Sequence, residues 1–115
     1  MPENPRELGY IAGLLDGEGH ISWTVKKRRN GITKQPHIGI SNTNPNVLKY
    51  LEALGGRISW RPRRGKFSAC GTWQIDGTLN IIAFLRNILP SLIIKRKQAE
   101  EMLSELEKRV QGGFG

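Results

Sequence analysis

Apolar positions near the start of the chain fall at helical spacing: Leu8, Ile11, Ala12, Leu14 and Leu15. Asn4-Pro5-Arg6-Glu7 supplies a start signal. Asn4 can cap, Pro5 suits the first turn, and Glu7 can reach back to close the cap. The helix is expected to stop near Asp16-Gly17. The pattern then switches to period two. Ile21, Trp23 and Val25 point one way, and His20, Ser22, Thr24, Lys26 and Arg28 the other. Asn30-Gly31 marks a hairpin turn. On the returning strand Ile38 and Ile40 take the core side, with Thr33, Gln35 and His37 opposite.

The second half repeats this scheme. Asn44-Pro45 opens a helix with Val47, Leu48, Leu51 and Leu54 as its stripe, ended by Gly55-Gly56. A third strand carries Ile58 and Trp60 inward and Arg57, Ser59, Arg61 and Arg63 outward, turning near Arg64-Gly65. The fourth has Phe67, Ala69, Trp73 and Ile75 on one face and Ser68, Cys70, Thr72 and Gln74 on the other. Thr78 caps a third helix running to Pro90, a last helix spans Ser91 to Val110, and residues 112–115 form a frayed tail. The order α-β-β-α-β-β-α-α predicts an α+β fold with two hairpins in one antiparallel sheet and helices on one face. Trp23, Trp60 and Trp73 all have inward parity, which predicts core packing over base stacking.

Composition adds limits. With 115 residues and 37% hydrophobic content, the chain suits one folded domain over residues 1–115, with a core from about 5 to 110. The single cysteine, Cys70, excludes an internal disulfide and argues against a cysteine-based zinc site. No apolar run is long enough for a membrane span, so no membrane partner is expected, and no signal or transit peptide is visible. An intracellular setting, cytoplasm or organelle matrix, is the expectation. The net charge of +8 is unevenly placed. Residues 19–75 hold eleven Lys/Arg against one acid, Glu52, a charge of +10, while the flanks hold seven bases against nine acids. The basic segment coincides with the two hairpins, so their open face reads as a surface for a polyanion.

Gly9, Gly13 and Gly17 recur every four residues and line one side of the first helix. Each mid-helix glycine costs roughly 1 kcal/mol relative to alanine. Close backbone approach is a physical reason to keep them, either to the chain's own sheet or to a second copy of the same helix about a two-fold axis. Asp16 and Glu18 sit at the end of that helix. Two copies side by side would bring two carboxylates together, an arrangement suited to Mg²⁺ near phosphates. In isolation Asp16-Gly17-Glu18-Gly19 reads as a solvated turn.

The run Ile11-Ala12-Gly13-Leu14-Leu15-Asp16-Gly17-Glu18-Gly19 resembles the LAGLIDADG motif of homing endonucleases, and Pro90 to Ala99 resembles the segment carrying that family's active-site lysine. The resemblance implies the single-motif, homodimeric type. Its αββαββα core has a four-stranded, saddle-shaped antiparallel sheet, here followed by a C-terminal helix. It implies metal-dependent hydrolysis of both strands of a long pseudo-palindromic DNA site, leaving short 3′ overhangs, with Mg²⁺ or another divalent cation such as Mn²⁺. The metal positions map to Glu18 and Gly17, and the catalytic set to Glu18, Lys95 and Asn42, the last as a water-positioning residue. Gly9, Ala12, Gly13 and Asp16 map to the dimer interface. The sequence departs from the family early in the second helix, where Asn44, Pro45 and Asn46 replace a frequent basic residue.

The expected partner is double-stranded DNA. Contacts are assigned to Ser22, Thr24, Lys26, Arg28, Thr33, Gln35, His37, Arg57, Ser59, Arg61, Arg63, Lys66, Ser68, Thr72 and Gln74, with Lys27, Arg29 and Arg64 on phosphates at the hairpin tips. His20 is assigned to the groove in preference to a metal. Two other classes fit parts of this: a non-cleaving relative such as an intron RNA maturase or DNA-binding regulator, and a structured-RNA protein, which leaves the glycine face unexplained.

Overall fold

The structure is a computed structural model that describes residues 4–61 and 70–112. The expected order is observed: α1 (Pro5–Glu18), β1 (Gly19–Arg28), β2 (Gly31–Asn42), α2 (Pro45–Glu52), β3 (Arg57–Arg61), β4 (Cys70–Ile75), α3 (Thr78–Ile88), a single 3₁₀ turn (Leu89–Ser91) and α4 (Arg96–Gln111). All strand pairs are antiparallel, in the order β1-β2-β4-β3. The second hairpin therefore attaches through β4, leaving β1 and β3 as edges.

Register follows the alternation read from the sequence. The pairs His20↔Gly39, Ser22↔His37, Thr24↔Gln35 and Lys26↔Thr33 set one face of the first hairpin. Gly39↔Gln74 and Ser41↔Thr72 carry it across the centre, and Arg57↔Gln74, Ser59↔Thr72 and Arg61↔Cys70 to the far edge. The opposite face supplies Ile21, Ile38, Ile40, Trp73 and Ile75 to a core closed by Ile11, Ala12 and Leu15 of α1, Leu48 and Leu51 of α2, and the apolar stripes of α3 and α4. The helices thus cover one face and leave the other open. Among the described residues no helix is long and apolar enough to cross a membrane.

Several expectations change. Asn4 does cap α1, accepting from the Arg6 N–H at 2.8 Å. Glu7 does not close a capping box; its carboxylate accepts from the Tyr50 hydroxyl at 3.3 Å, tying α1 to α2. Helix α1 runs on through Glu18, so Asp16 and Gly17 are helical. Gly19 ends it because β1 leaves hard against the last turn: a Cβ there would lie 2.5 Å from Leu15 Cδ1 and 2.8 Å from the Leu15 carbonyl oxygen. Gly77, at φ +93°, takes the cap position of α3 without a side-chain bond, and Thr78 is its first residue.

Helix α4 begins at Arg96, five residues later than expected. Asp16 explains the delay. Its carboxylate accepts the Ile93 and Lys95 backbone N–H groups at 2.8 and 2.9 Å, holding residues 93–95 in a non-helical turn.

The tryptophans also diverge. Trp73 is 1% exposed, Trp23 is half-buried and Trp60 is 55% exposed. Trp60 keeps its inward parity, but β3 is an edge strand and its ring lies mainly over Gly71 of β4. Val25 is likewise exposed, because the first hairpin projects past the helices.

Candidate active site and nucleic-acid interface

Glu18 is the last residue of α1, exposed at the point where the chain enters the open sheet face. Asn42, the last residue of β2, donates from Nδ2 to Glu18 Oε2 at 2.5 Å. Its amide orientation is fixed, since Oδ1 accepts the Asn44 backbone N–H at 2.7 Å. Only the NH₂ end can then face the carboxylate.

Lys95 approaches the same turn from the other side. Its Nζ donates to the Asp16 carbonyl at 2.7 Å, at the negative end of the α1 dipole. The C-terminal turn of α1 therefore gathers Glu18, Asn42 and Lys95 from three distant parts of the chain.

Asp16 organises this turn from within. Burial alone would raise its pKa, but the backbone N–H groups of Lys95, Ile93 and Ile94 and the Lys95 charge outweigh that and hold the carboxyl below its ordinary range. With both oxygens engaged inside the chain, Asp16 is a structural residue. Ala12 must be removed from the expected interface: it is 0% exposed and part of the chain's own core. Gly9, Gly13 and Gly17 are different. All three are exposed, and a Cβ on any of them would meet nothing within 4 Å. With Tyr10, Leu14 and Glu18 they line a shallow groove along the outer side of α1.

Ligand donors suited to a divalent ion are few. Among the described residues no three His, Cys, Asp or Glu side chains come together as a metal site. Of the last α1 carbonyls, that of Leu15 accepts from Gly19 and that of Asp16 from Lys95. One chain thus offers the Glu18 carboxylate, with the Gly17 carbonyl next to it in sequence, as hard oxygen donors of the kind a divalent ion takes.

The open sheet face carries the expected contact residues. Ser22, Thr24, Lys26, Arg28, Thr33, Gln35, Ser59 and Arg61 are exposed; His37, Thr72 and Gln74 are half-buried. Arg57 pairs with Asp76, both well exposed, which raises the Arg57 pKa further. So exposed a pair is screened by water and salt and is weak enough for a phosphate to displace Asp76. Arg63, Arg64, Lys66 and Ser68 lie outside the described residues.

Ser41 on this face was not among the expected contacts, whereas His20 was assigned to the groove. Ser41 shares this face and bonds Thr72 through their hydroxyls at 2.9 Å; its parity, two beyond Gly39, was the available signal. His20 is the first outward side chain after Glu18, and its Nε2 lies 2.8 Å from His37 Nδ1. Burial, then the His37 and Lys95 charges, hold His20 below the ordinary imidazole pKa.

The same architecture occurs in solved structures of homing endonucleases. A DNA complex of the archaeal intron-encoded homing endonuclease I-Vdi141I matches with a TM-score of 0.73 and 27% identity, over 93% of this chain and 70% of that one. I-CvuI, in complex with a DNA target, matches with a TM-score of 0.73 and 20% identity, over 90% and 67%. The LAGLIDADG homing endonuclease I-SmaMI, bound to cleaved DNA, matches with a TM-score of 0.68 and 16% identity; this chain spans only 37% of it. The fold is therefore that of a homing endonuclease. That fold is shared with the LAGLIDADG homing endonuclease I-SmaMI, and in this chain the motif-like run Ile11 to Gly19 spans the end of α1 and its junction with β1. No family model matches the sequence, and no curated protein does.

Proposed function

We propose that the chain is a site-specific endonuclease that hydrolyses both strands of duplex DNA, working as a homodimer with a divalent ion, Mg²⁺ or Mn²⁺. The observation that carries this reading is the Glu18–Asn42 pair at the end of α1, with Lys95 tied to the same turn, directly beside a basic sheet face that no other part of the described chain covers.

Pairing two copies through the Gly9/Gly13/Gly17 side of α1 brings two Glu18 carboxylates together above the duplex. Glu18 and the Gly17 carbonyl would hold the ion, which when bound polarises a phosphoryl oxygen and makes water a better nucleophile. Asn42 fixes the Glu18 carboxylate and presents an amide where a water can be oriented. Lys95 places a positive charge next to the phosphate that gains charge as the bond breaks. The sheet enters the major groove, hydroxyl and amide side chains facing base edges, while Lys27 and Arg29 at the hairpin tip meet phosphates. Two-fold symmetry of the protein implies a pseudo-palindromic site, and cleavage on opposite sides of the minor groove leaves short 3′ overhangs.

The test uses the duplex made by joining the sequences that flank the gene. With Mg²⁺, Glu18→Gln is expected to cut at background level while binding the duplex within a few-fold of the unmodified protein. Undiminished cutting by Glu18→Gln overturns the assignment. Binding without cutting by the unmodified protein favours a non-cleaving relative, a maturase or regulator.

A further inference from the structure

Asp76 is an exception on a basic surface. Apart from Glu18, it is the one acid on the open sheet face among the described residues. A carboxylate there repels every phosphate that comes near, so it lowers affinity for any duplex unless it does something else.

Its position supplies that something. Arg57 opens β3 directly opposite Gln74, and Asp76 lies two residues beyond Gln74, on the diagonal where long side chains of neighbouring strands meet. Arg57 Nε donates to Asp76 Oδ2 at 2.5 Å. The backbone is fixed on both sides of the pair. Before Arg57, the Gly55 carbonyl accepts from the indole of buried Trp73 at 2.8 Å. Gly56, at φ +79°, lies so close to β4 that a Cβ would stand 2.5 Å from the Gln74 carbonyl oxygen. After Asp76, the Asn80 side chain of α3 donates to the Asp76 carbonyl at 3.1 Å.

With side chains 65% and 56% exposed, the pair is weak in water. What it adds is direction. A guanidinium carries five N–H groups, one on Nε and two on each Nη. Asp76 takes Nε, and neither Nη has a hydrogen-bond partner among the described residues. The free end therefore presents two donors side by side. In the major groove guanine offers two adjacent acceptors, N7 and O6, on one base, whereas adenine sets the N6 donor beside N7. A phosphate competes with Asp76 for the guanidinium; a guanine edge takes the free end and leaves the Asp76 bond intact. Water excluded by the duplex then strengthens that bond.

We propose that Arg57 reads guanine at one base pair of each half-site, with Asp76 as the positioning residue that aims its free end. This rests on the duplex-reading function above and deepens it, assigning a base to one residue and a purpose to the acid beside it. A side chain already aimed before binding loses less freedom on contact.

The experiment selects bound duplexes from a randomised DNA library. It compares the unmodified protein with Arg57→Ala, Asp76→Ala, Asp76→Ser and the double variant Arg57→Ala/Asp76→Ala. The unmodified protein is expected to prefer G·C over A·T about tenfold at one position per half-site. Arg57→Ala should lose that preference at that position alone. Both Asp76 variants should lower it to about threefold or less, while binding to duplex of random sequence holds or rises because a repelling charge is gone. The double variant should match Arg57→Ala in preference, since Asp76 acts through Arg57. Thermal melting establishes that each variant is folded. Asp76→Ser, too short to hold Arg57 yet suited to a helix start, carries the result if Asp76→Ala melts early. An Arg57→Ala protein that loses affinity equally for every duplex, a G·C preference that survives loss of Asp76, or Asp76 variants that bind all duplexes more weakly each overturn the proposal. Sequence preference confined to positions that do not respond to Arg57 overturns this pair only. The absence of any duplex preference in the unmodified protein overturns the DNA-reading function itself, and the pair with it.

Discussion

The two sides of α1 answer different demands. On the inner side Ile11, Ala12 and Leu15 are 0% exposed and complete the core. On the outer side Gly9, Gly13 and Gly17 face open space, with no atom within 4 Å of where a Cβ would stand. The inner side stabilises the chain in the usual way, by removing apolar surface from water. The outer side does the reverse. Three glycines in a helix cost roughly 2–3 kcal/mol against alanine, a large share of a small domain's stability. Among the described residues no contact at these three positions offsets that loss. In the proposed dimer, that surface is where a second copy of α1 would approach.

Gly13→Leu should break the comparison most sharply. Leucine raises helix propensity and has free space within the single chain, so melting temperature is expected to hold or rise. Its side chain keeps a second α1 away, so dimerisation by sedimentation and DNA cutting should both fall to background. A dimeric, fully active Gly13→Leu protein would show that the glycine side is not the interface. Leu15→Ala probes the other side. Truncating this 0% exposed residue should cost about 2–5 kcal/mol in denaturant unfolding. A loss below about 1 kcal/mol would mean that the inner side is not the packed core seen here.

Asp16 lies between the two sides, and its replacement is expected to have a smaller effect. In Asp16→Asn one backbone N–H, that of Ile93 or Lys95, meets an NH₂ group instead of an oxygen. The expected cost is about 1 kcal/mol, at the low end because the site is partly solvated. The sign with pH follows from the depressed folded-state pKa. The Asp16 contribution is complete above the ordinary aspartate range and is lost as pH falls through the lower folded value. The stability gap between the two proteins should therefore narrow under acid. A gap that widens would contradict the bonds drawn to residues 93–95.

Much of this was legible in the sequence, because burial on one face imposes a period. Alternation through Ile21, Ile38, Trp73 and Ile75 fixed which strand residues point outward, and the ladders join them in one continuous face. What stayed hidden depended on partners far along the chain. The start of α4 at Arg96 is set by Asp16, 77 positions before Ile93. The exposure of Trp60 follows from strand order, which parity does not contain. The Glu18–Asn42 bond needs the turn at Asn44 to orient the amide, and the His20–His37 bond needs a glycine on the neighbouring strand. Ala12 shows the same limit: the motif suggested a partner, and the core claimed it.

The smallest effect concerns the far end of the first hairpin, which has no core beneath it. Arg109, near the end of α4, stacks on Trp23 with 5.0 Å from its guanidinium carbon to the ring centroid. It also donates to the Lys34 carbonyl at 3.0 Å and to Glu105 at 3.4 Å. This clamp replaces, for the hairpin, the packing that α1 receives from its inner side. A partly exposed cation–π contact contributes about 0.5–1 kcal/mol. Arg109→Ala should therefore change global stability by no more than about that amount. Amide exchange should show the difference locally: faster at residues 24–34 and unchanged at Ile38 and Ile40, whose backbone is held by β4 as well as β1. Equal acceleration at both places would mean that the hairpin and the core open as one unit.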